Sequence, residues 1–279
     1  MIIKFLGTSA AERIPAMFCE CEVCENSRKA GGKNIRTRSQ ALVDDKILID
    51  FPADTFMHFN SHNVPFKNIK TCLITHSHMD HLYENDTTVR KRRFSYVYEN
   101  PDPLVFYAGK SGYEKIEEVR EKNGIPKEDY YAEYIEPFKT FEVYGYNVTA
   151  VNAVHAPDTS PYLYLIEKDN KLFFYSTDTG EYSDDTWNYL KNNIDKTIDA
   201  IALDCTYGNS KTTFNGHMDL HRCYNLKEKL IESGVADENT KFILTHFSHN
   251  GDNVMYDEFV NIAKEKGFIT AYDGMIVKL

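Results

Sequence analysis

Short apolar runs recur along the chain, and each of the clearest ones ends in a polar residue able to do chemistry. Ile69–Thr75 runs into His76, Val148–Val154 into His155, Leu172–Thr177 into Asp178 and Phe242–Thr245 into His246. Lys46–Ile49 runs into Asp50 and Ala200–Leu203 into Asp204. Their length and their β-branched and aromatic content predict buried strands, and MIIKFLG at the start predicts a first strand. Helical spacing lies between them. Ser111 and Glu114 have capping-box spacing, and Gly124 follows as a stop. Asp219 predicts the cap of a helix reaching about Ser233 and closed by Gly234. A third helix is expected from Asp257 to Lys266, closed by Gly267. Strands and helices mixed in this way predict an α/β layered fold. The stretch 83–146 is more charged than its surroundings and carries RKRR at 90–93, so it is expected as an inserted cap on a single domain spanning 1–279.

Composition narrows the function. Among 279 residues, 32 Lys+Arg face 42 Asp+Glu, a net charge of −10. An acidic surface does not hold nucleic acid by bulk electrostatics. With 42% hydrophobic and 13% aromatic residues, disorder is excluded. No apolar run approaches the roughly 20 residues of a membrane helix, and the start lacks the apolar stretch of a signal peptide. The expectation is a cytoplasmic protein without a membrane partner, for which a homodimer is compatible. Three of six cysteines crowd into Cys19, Cys21 and Cys24. In a chain of this length without a leader, that cluster reads as metal-binding before it reads as disulfide-forming.

The strongest chemical signal is Thr75-His-Ser-His-Met-Asp-His81, with His76, His78, Asp80 and His81 inside six residues. Alternate residues leaving a strand can share one cation, so His76 and His78 suit a first metal and Asp80 and His81 a second. His155, Asp178 and His246 follow other strand runs and are the candidates to complete both. Singly, each of these three also reads as an ordinary turn residue. The cysteine triad is one ligand short of a closed tetrahedral zinc site, and His249, three residues after His246, is the candidate fourth. The competing reading leaves the cysteines free and His249 on the surface.

In these residues the chain resembles the metallo-β-lactamase superfamily: His76, His78, Asp80 and His81, then His155, Asp178 and His246, with Leu6–Gly7–Thr8 and Leu48–Ile49–Asp50 also fitting. The resemblance implies an αββα sandwich with a dinuclear site at one edge. His76, His78 and His155 would hold one metal and Asp80, His81 and His246 the other, with Asp178 and a hydroxide bridging. Zinc, manganese or iron would suit those ligands. Within the superfamily, Cys19-x-Cys-x-x-Cys24 paired with His249 is similar to the phosphoribosyl cyclic phosphodiesterases of phosphonate catabolism, implying one structural zinc. That resemblance also points to His217 as general acid, with Asp80 the other catalytic candidate; His221, one helical turn on, competes. His58 and His62 are given no function.

The expected activity is hydrolysis of a small, cyclic or linear, anionic phosphodiester. Arg90, Lys91, Arg92 and Arg93 are candidates to bind its phosphate, though such a run also reads as a solvated face. Two alternatives use the same ligand set: lactone or ester hydrolysis, and non-hydrolytic binding of a metabolite in a biosynthetic pathway, as in pyrroloquinoline-quinone carrier-like proteins. No G-x-G-x-x-G follows a predicted strand, which weakens a dinucleotide-redox reading.

Overall fold

A computed structural model of the chain describes residues 1–98 and 102–279. Strands β1 (Ile2–Gly7), β2 (Gln40–Val43), β3 (Ile47–Ile49), β4 (Thr71–Leu73), β5 (Leu104–Ala108) and β6 (Tyr130–Tyr134) lie side by side in that order in one sheet. Strands β7 (Thr140–Val143), β8 (Tyr146–Asn152), β9 (Tyr162–Lys168), β10 (Lys171–Ser176), β11 (Ala200–Asp204), β12 (Lys241–Thr245) and β13 (Ile269–Thr270) form the second, likewise in sequence order. The last strand, β14 (Met275–Lys278), returns to pair antiparallel with β1. Alternation assigns the faces. Ala41, Val43, Ile47, Ile49 and Leu73 of the first sheet pack against Val148, Ala150, Tyr164, Phe173 and Tyr175 of the second, filling the space between them.

The opposite faces are covered by helices. Leu42, Leu48, Cys72 and Phe106 are buried with Phe59 of α2 (Thr55–Ser61) and Ile116 of α3 (Lys110–Lys122). Phe174, Leu203 and Leu244 are buried with Leu190 of α4 (Asp184–Asn192), Cys223 and Leu230 of α5 (Leu220–Glu232) and Phe259 of α6 (Tyr256–Glu265). This is the expected αββα sandwich. Strands buried on both faces read as continuous apolar runs, which is why they were legible.

Several expectations change. The stretch 83–146 is not a cap: its strands β5 and β6 extend the first sheet and β7 forms an edge of the second. Among its described residues the charges are spread over α3, the short helical turn Glu84–Arg90 and the loops as well as the strands. Ser111 does not cap α3. Gly109 precedes the helix instead, and the Ser111 hydroxyl pairs with that of Ser77 at 2.7 Å. Asp219 does cap α5, accepting from Arg222 N at 2.9 Å. A helix not foreseen, α1 (Glu22–Ala30), follows the cysteine cluster.

The parallel strands place the site. β3 to β6 run parallel to one another, as do β10 to β13. The antiparallel pairings of β8, β9 and β10 leave β8 running with β10. Residues just beyond β4, β8, β10, β11 and β12 therefore emerge along one edge of the sandwich, the carboxyl edge where open α/β sheets bind ligands.

A buried polar chain braces the N-terminal loops. Gln40 donates its amide to Asp50 O and to Thr55 Oγ1, both at 2.9 Å, so its Oε1 accepts from His58 Nδ1 at 2.7 Å. Burial pushes His58 down to about 3. Its neutral Nε2 then accepts from the Thr37 hydroxyl at 2.7 Å. That hydroxyl's hydrogen is spent, yet Asp273 Oδ2 lies 2.5 Å away. A proton on Asp273 satisfies the contact, and burial raises this carboxyl to about 6. An acid with a raised folded pKa stabilises most at low pH, and the contribution fades as pH rises from about 4 through about 6. Asp273→Asn should flatten the stability–pH curve over that window by roughly 1–2 kcal/mol, after discounting for partial exposure. Urea denaturation of both proteins at several pH values across the window checks this; parallel curves would contradict it.

Candidate metal centres

His76, His155, Asp178 and His246 stand just beyond strand ends, and at several such ends the backbone bends in an uncommon way. Asp50 (φ 67°), Asp178 (φ 59°) and His246 (φ 63°) are all in the left-handed region. Non-glycine residues enter it at a cost, and such strain concentrates where side chains must be aimed. The turns direct the side chains across the edge and not along the strands.

Three overlapping groups share Asp178: two are built on the 76–81 run, and the third is Asp178, Asp204, His217 and His246. In the first, His76 Nε2 lies 2.9 Å from His78 Nδ1 and 3.1 Å from Asp178 Oδ2, and His155 Nε2 lies 3.1 Å from His78 Nδ1. In the second, His81 Nε2 lies 3.4 Å from Asp80 Oδ2, 3.1 Å from Asp178 Oδ2 and 3.3 Å from His246 Nε2. Within each group every ligand atom is within 4.8 Å of the others. The donor set fits cations: imidazole nitrogens face one another in pairs that can form one hydrogen bond at most, and the buried Asp178 Oδ1 has no hydrogen-bond partner. A cation would accept the converging lone pairs. Burial holds His76 down at about 4, which leaves it neutral and able to ligate. His81 is opposed: burial pushes it down, but Asp50 and Asp80 raise it well above its ordinary value. Asp178 is held well below the carboxylate range by His246 and His76 despite its burial.

Outer partners fix the rings. Asp50 accepts from Thr75 N and Oγ1, both at 2.8 Å, and its Oδ2 holds His81 Nδ1 at 2.7 Å, leaving Nε2 free to face the site. On the other side Asp204 Oδ2 pairs with His217 Nδ1 at 3.0 Å and its Oδ1 accepts from Met218 N at 2.9 Å, while His246 Nδ1 pairs with Thr206 Oγ1 at 2.9 Å, with Asp204 Oδ2 3.4 Å away. Burial would lower His217, but the Asp204 carboxylate beside it raises it to about 9. His217 Nδ1 is also 3.1 Å from Asp178 Oδ1. The loop carrying it is tied down by Arg222, which donates to Phe214 O at 2.7 Å and His217 O at 3.0 Å. It reaches the site only because residue 180 is glycine: a Cβ there would stand 1.8 Å from Asn215 O. Asp204 was visible in the sequence only as an acid ending a strand run; its role needed the loop.

The cysteine cluster and His249 converge. Cys19 Sγ and Cys21 Sγ lie 3.4 and 3.5 Å from His249 Nδ1, and Cys24 Sγ completes a group of four within 4.8 Å. Ligand-to-ligand edges around a tetrahedral zinc are about 3.5–3.8 Å, so the donors fit. The remaining expectations divide. His221 is exposed and faces Asn225 at 3.4 Å, so His217 is the histidine at the site. Arg90, Arg92 and Arg93 are not brought there. Arg90 donates to Asp102 O and Asp129 O, just before β5 and β6 and hence at the opposite end of the parallel strands. The Arg92 side chain is 86% exposed, and Lys91 donates to Asn123 O. His58 sits in α2 and serves the core network. No helix among the described residues is long and apolar enough to cross a membrane.

Two metal-capable groups sharing an aspartate at the carboxyl edge of an αββα sandwich define a metal-dependent hydrolase of the metallo-β-lactamase fold. Residues 45–247 match the β-lactamase superfamily domain, and the chain belongs to that family. Among solved structures it is similar to a diphosphatase from the PhnP family, at 20% identity and TM-score 0.76, covering 100% of this chain and 97% of that one. It is similar to zinc-bound PqqB from Methylobacterium extorquens, at 19% identity and TM-score 0.75, covering both chains completely. The short form of human tRNase Z aligns at 16% identity and TM-score 0.66, over 100% of this chain and 99% of that one. No curated protein matches the chain.

Proposed function

We propose that this protein is a dinuclear phosphodiesterase acting on a small anionic phosphodiester, with a structural zinc at Cys19, Cys21, Cys24 and His249. The observation that carries the reading is His217: a histidine raised to about 9 and held by a buried carboxylate beside the aspartate both metal-capable groups share. His76, His78, His155 and Asp178 would hold one divalent cation, and Asp80, His81, His246 and Asp178 the other. Bound there, zinc, manganese or iron would supply Lewis-acid charge for a phosphoryl oxygen and acidify a water.

The chain's own residues do the rest. Asp204 keeps His217 protonated and fixes its ring. His217 gives that proton to the departing oxygen, or hydrogen-bonds the charge gathering on it. Asp50 holds His81 and Thr206 holds His246 from behind, so neither ring rotates as substrate enters. His217→Ala should lower kcat by about 100–10,000-fold for an alkyl leaving group and far less for p-nitrophenol, which departs without a proton. Metal content should stay unchanged. Steady-state kinetics on a leaving-group series reads both. A uniform loss across the series would remove His217 from that role, and turnover of lactones but of no phosphodiester would overturn the reading.

A further inference from the structure

Glu12 is a charged residue lining the site that the metal groups do not use. It shares a cavity of about 230 Å³ with His78, Asp80, His155, Asp178 and His217. Its turn is rigidly held. Ala10 N donates to Phe247 O at 2.9 Å and Arg13 N to Ala10 O at 3.2 Å. Arg38 Nε donates to Ala11 O and Arg13 Nε to Asp54 Oδ1, both at 2.8 Å. Arg13 itself is in the left-handed region, at φ 69°. A strained, four-way-anchored turn presents one side chain, which is then fixed again at its tip. Glu12 Oε1 accepts from Ser248 Oγ at 2.6 Å and Asn250 Nδ2 at 3.0 Å. His249 Nε2, at 3.8 Å, is outside hydrogen-bond reach. No described residue hydrogen-bonds Oε2.

The same cavity has no lysine or arginine in its lining. The basic groups around it are engaged elsewhere: Lys115 donates to Ser77 O at 2.7 Å, Arg222 to Phe214 O and His217 O, and Arg13 and Arg38 to the turn. A second phosphate beside Glu12 would meet a fixed carboxylate and no lysine or arginine of the lining. A hydroxyl would meet a preorganised acceptor.

We propose that Glu12 is a specificity-determining residue that accepts hydrogen bonds from a neutral, hydroxylated arm of the substrate and rejects substrates carrying a second phosphate. The inference rests on the phosphodiesterase reading and narrows it: the resemblance to phosphoribosyl cyclic phosphodiesterases gives the reaction, and Glu12 excludes their phosphorylated arm. Rejection by an unmatched like charge is a common route to specificity.

The test compares glycerol 1,2-cyclic phosphate with its 3-O-phosphorylated form, using metal-loaded protein. Wild type should favour the hydroxyl form by about tenfold or more in kcat/KM. Glu12→Gln keeps an oxygen for Ser248 and Asn250 but removes the charge, and should bring the ratio to within about threefold; Glu12→Lys should invert it. Because a ratio is read, a general loss of activity cancels. Calorimetric Kd values for the corresponding non-hydrolysable methylene phosphonates should show the same ordering without turnover. Unchanged ratios in both variants would overturn the role of Glu12 while leaving the phosphodiesterase reading intact. Failure of wild type to hydrolyse any phosphodiester would overturn both.

Discussion

Asp178→Ala is expected to abolish turnover, by at least about 1,000-fold, and to empty both histidine groups at once. The reason is its position. One carboxylate lies 3.1 Å from His76, 3.1 Å from His81, 3.6 Å from His246, 3.4 Å from His155 and 3.1 Å from His217. Removing a ligand that serves one cation weakens that cation; removing the shared one weakens both and leaves the remaining imidazoles facing each other without a counter-charge. Asp178→Asn separates charge from shape, and should behave like the alanine variant because an amide nitrogen repels a cation and presents donors to it. Mass-spectrometric metal analysis should fall from three ions per chain to one, the survivor being at the cysteine cluster. Retention of three ions with activity intact would remove Asp178 from the centre of this account.

Cys24→Ser should have the complementary outcome: the two site metals retained, the third lost, and the melting temperature lowered by about 5–15 °C. Cys24 is fully buried, and burial, with Cys21 and Cys19 beside it, pushes its thiol up to about 12. Without a cation Cys24 would therefore stay protonated, and the loop from Ala16 to Cys24 would have little to fold around. His249 is the tie, because it joins that loop to the segment carrying His246. Serine is a poorer zinc ligand and leaves the other donors unsatisfied. The effect should reach the active edge through Ser248 and Asn250, which hold Glu12. Selectivity between the two cyclic phosphates should therefore loosen along with stability. A variant with full metal content and an unshifted melting curve would show that the cluster is not a metal site.

Much of the architecture was legible because it follows from local chemistry. Apolar runs such as Phe242–Thr245 must be buried, and an ionisable residue at the end of each marks where the buried strand meets a site. The density of histidine between 76 and 81 has few physical uses other than a cation, so the first metal-capable residues were readable from spacing alone. The failures share one cause. The segment 83–146 looked like a cap because charged loops, the turn Glu84–Arg90 and the outward face of α3 dilute the core pattern of its strands. Arg90 to Arg93 looked like a phosphate clamp because sequence carries charge but not the end of the strand on which it falls. Ser111 looked like a cap because its spacing to Glu114 does not reveal Ser77 beside it.

The sequence by itself determined the layered α/β class, the strand ends and the identity of the metal-capable side chains, all of which depend on neighbours a few residues apart. The resemblance pointed to Asp178 and His217, but only the tertiary structure brought them together, turned His221 away, set Asp50, Asp204 and Thr206 behind the rings and placed Glu12 in the cavity with one oxygen open. Those depend on left-handed turns at 50, 178 and 246, on a glycine at 180 and on parallel strands sharing one edge. Such features join residues as much as 238 positions apart, as between Glu12 and Asn250, and no local pattern encodes a contact of that kind.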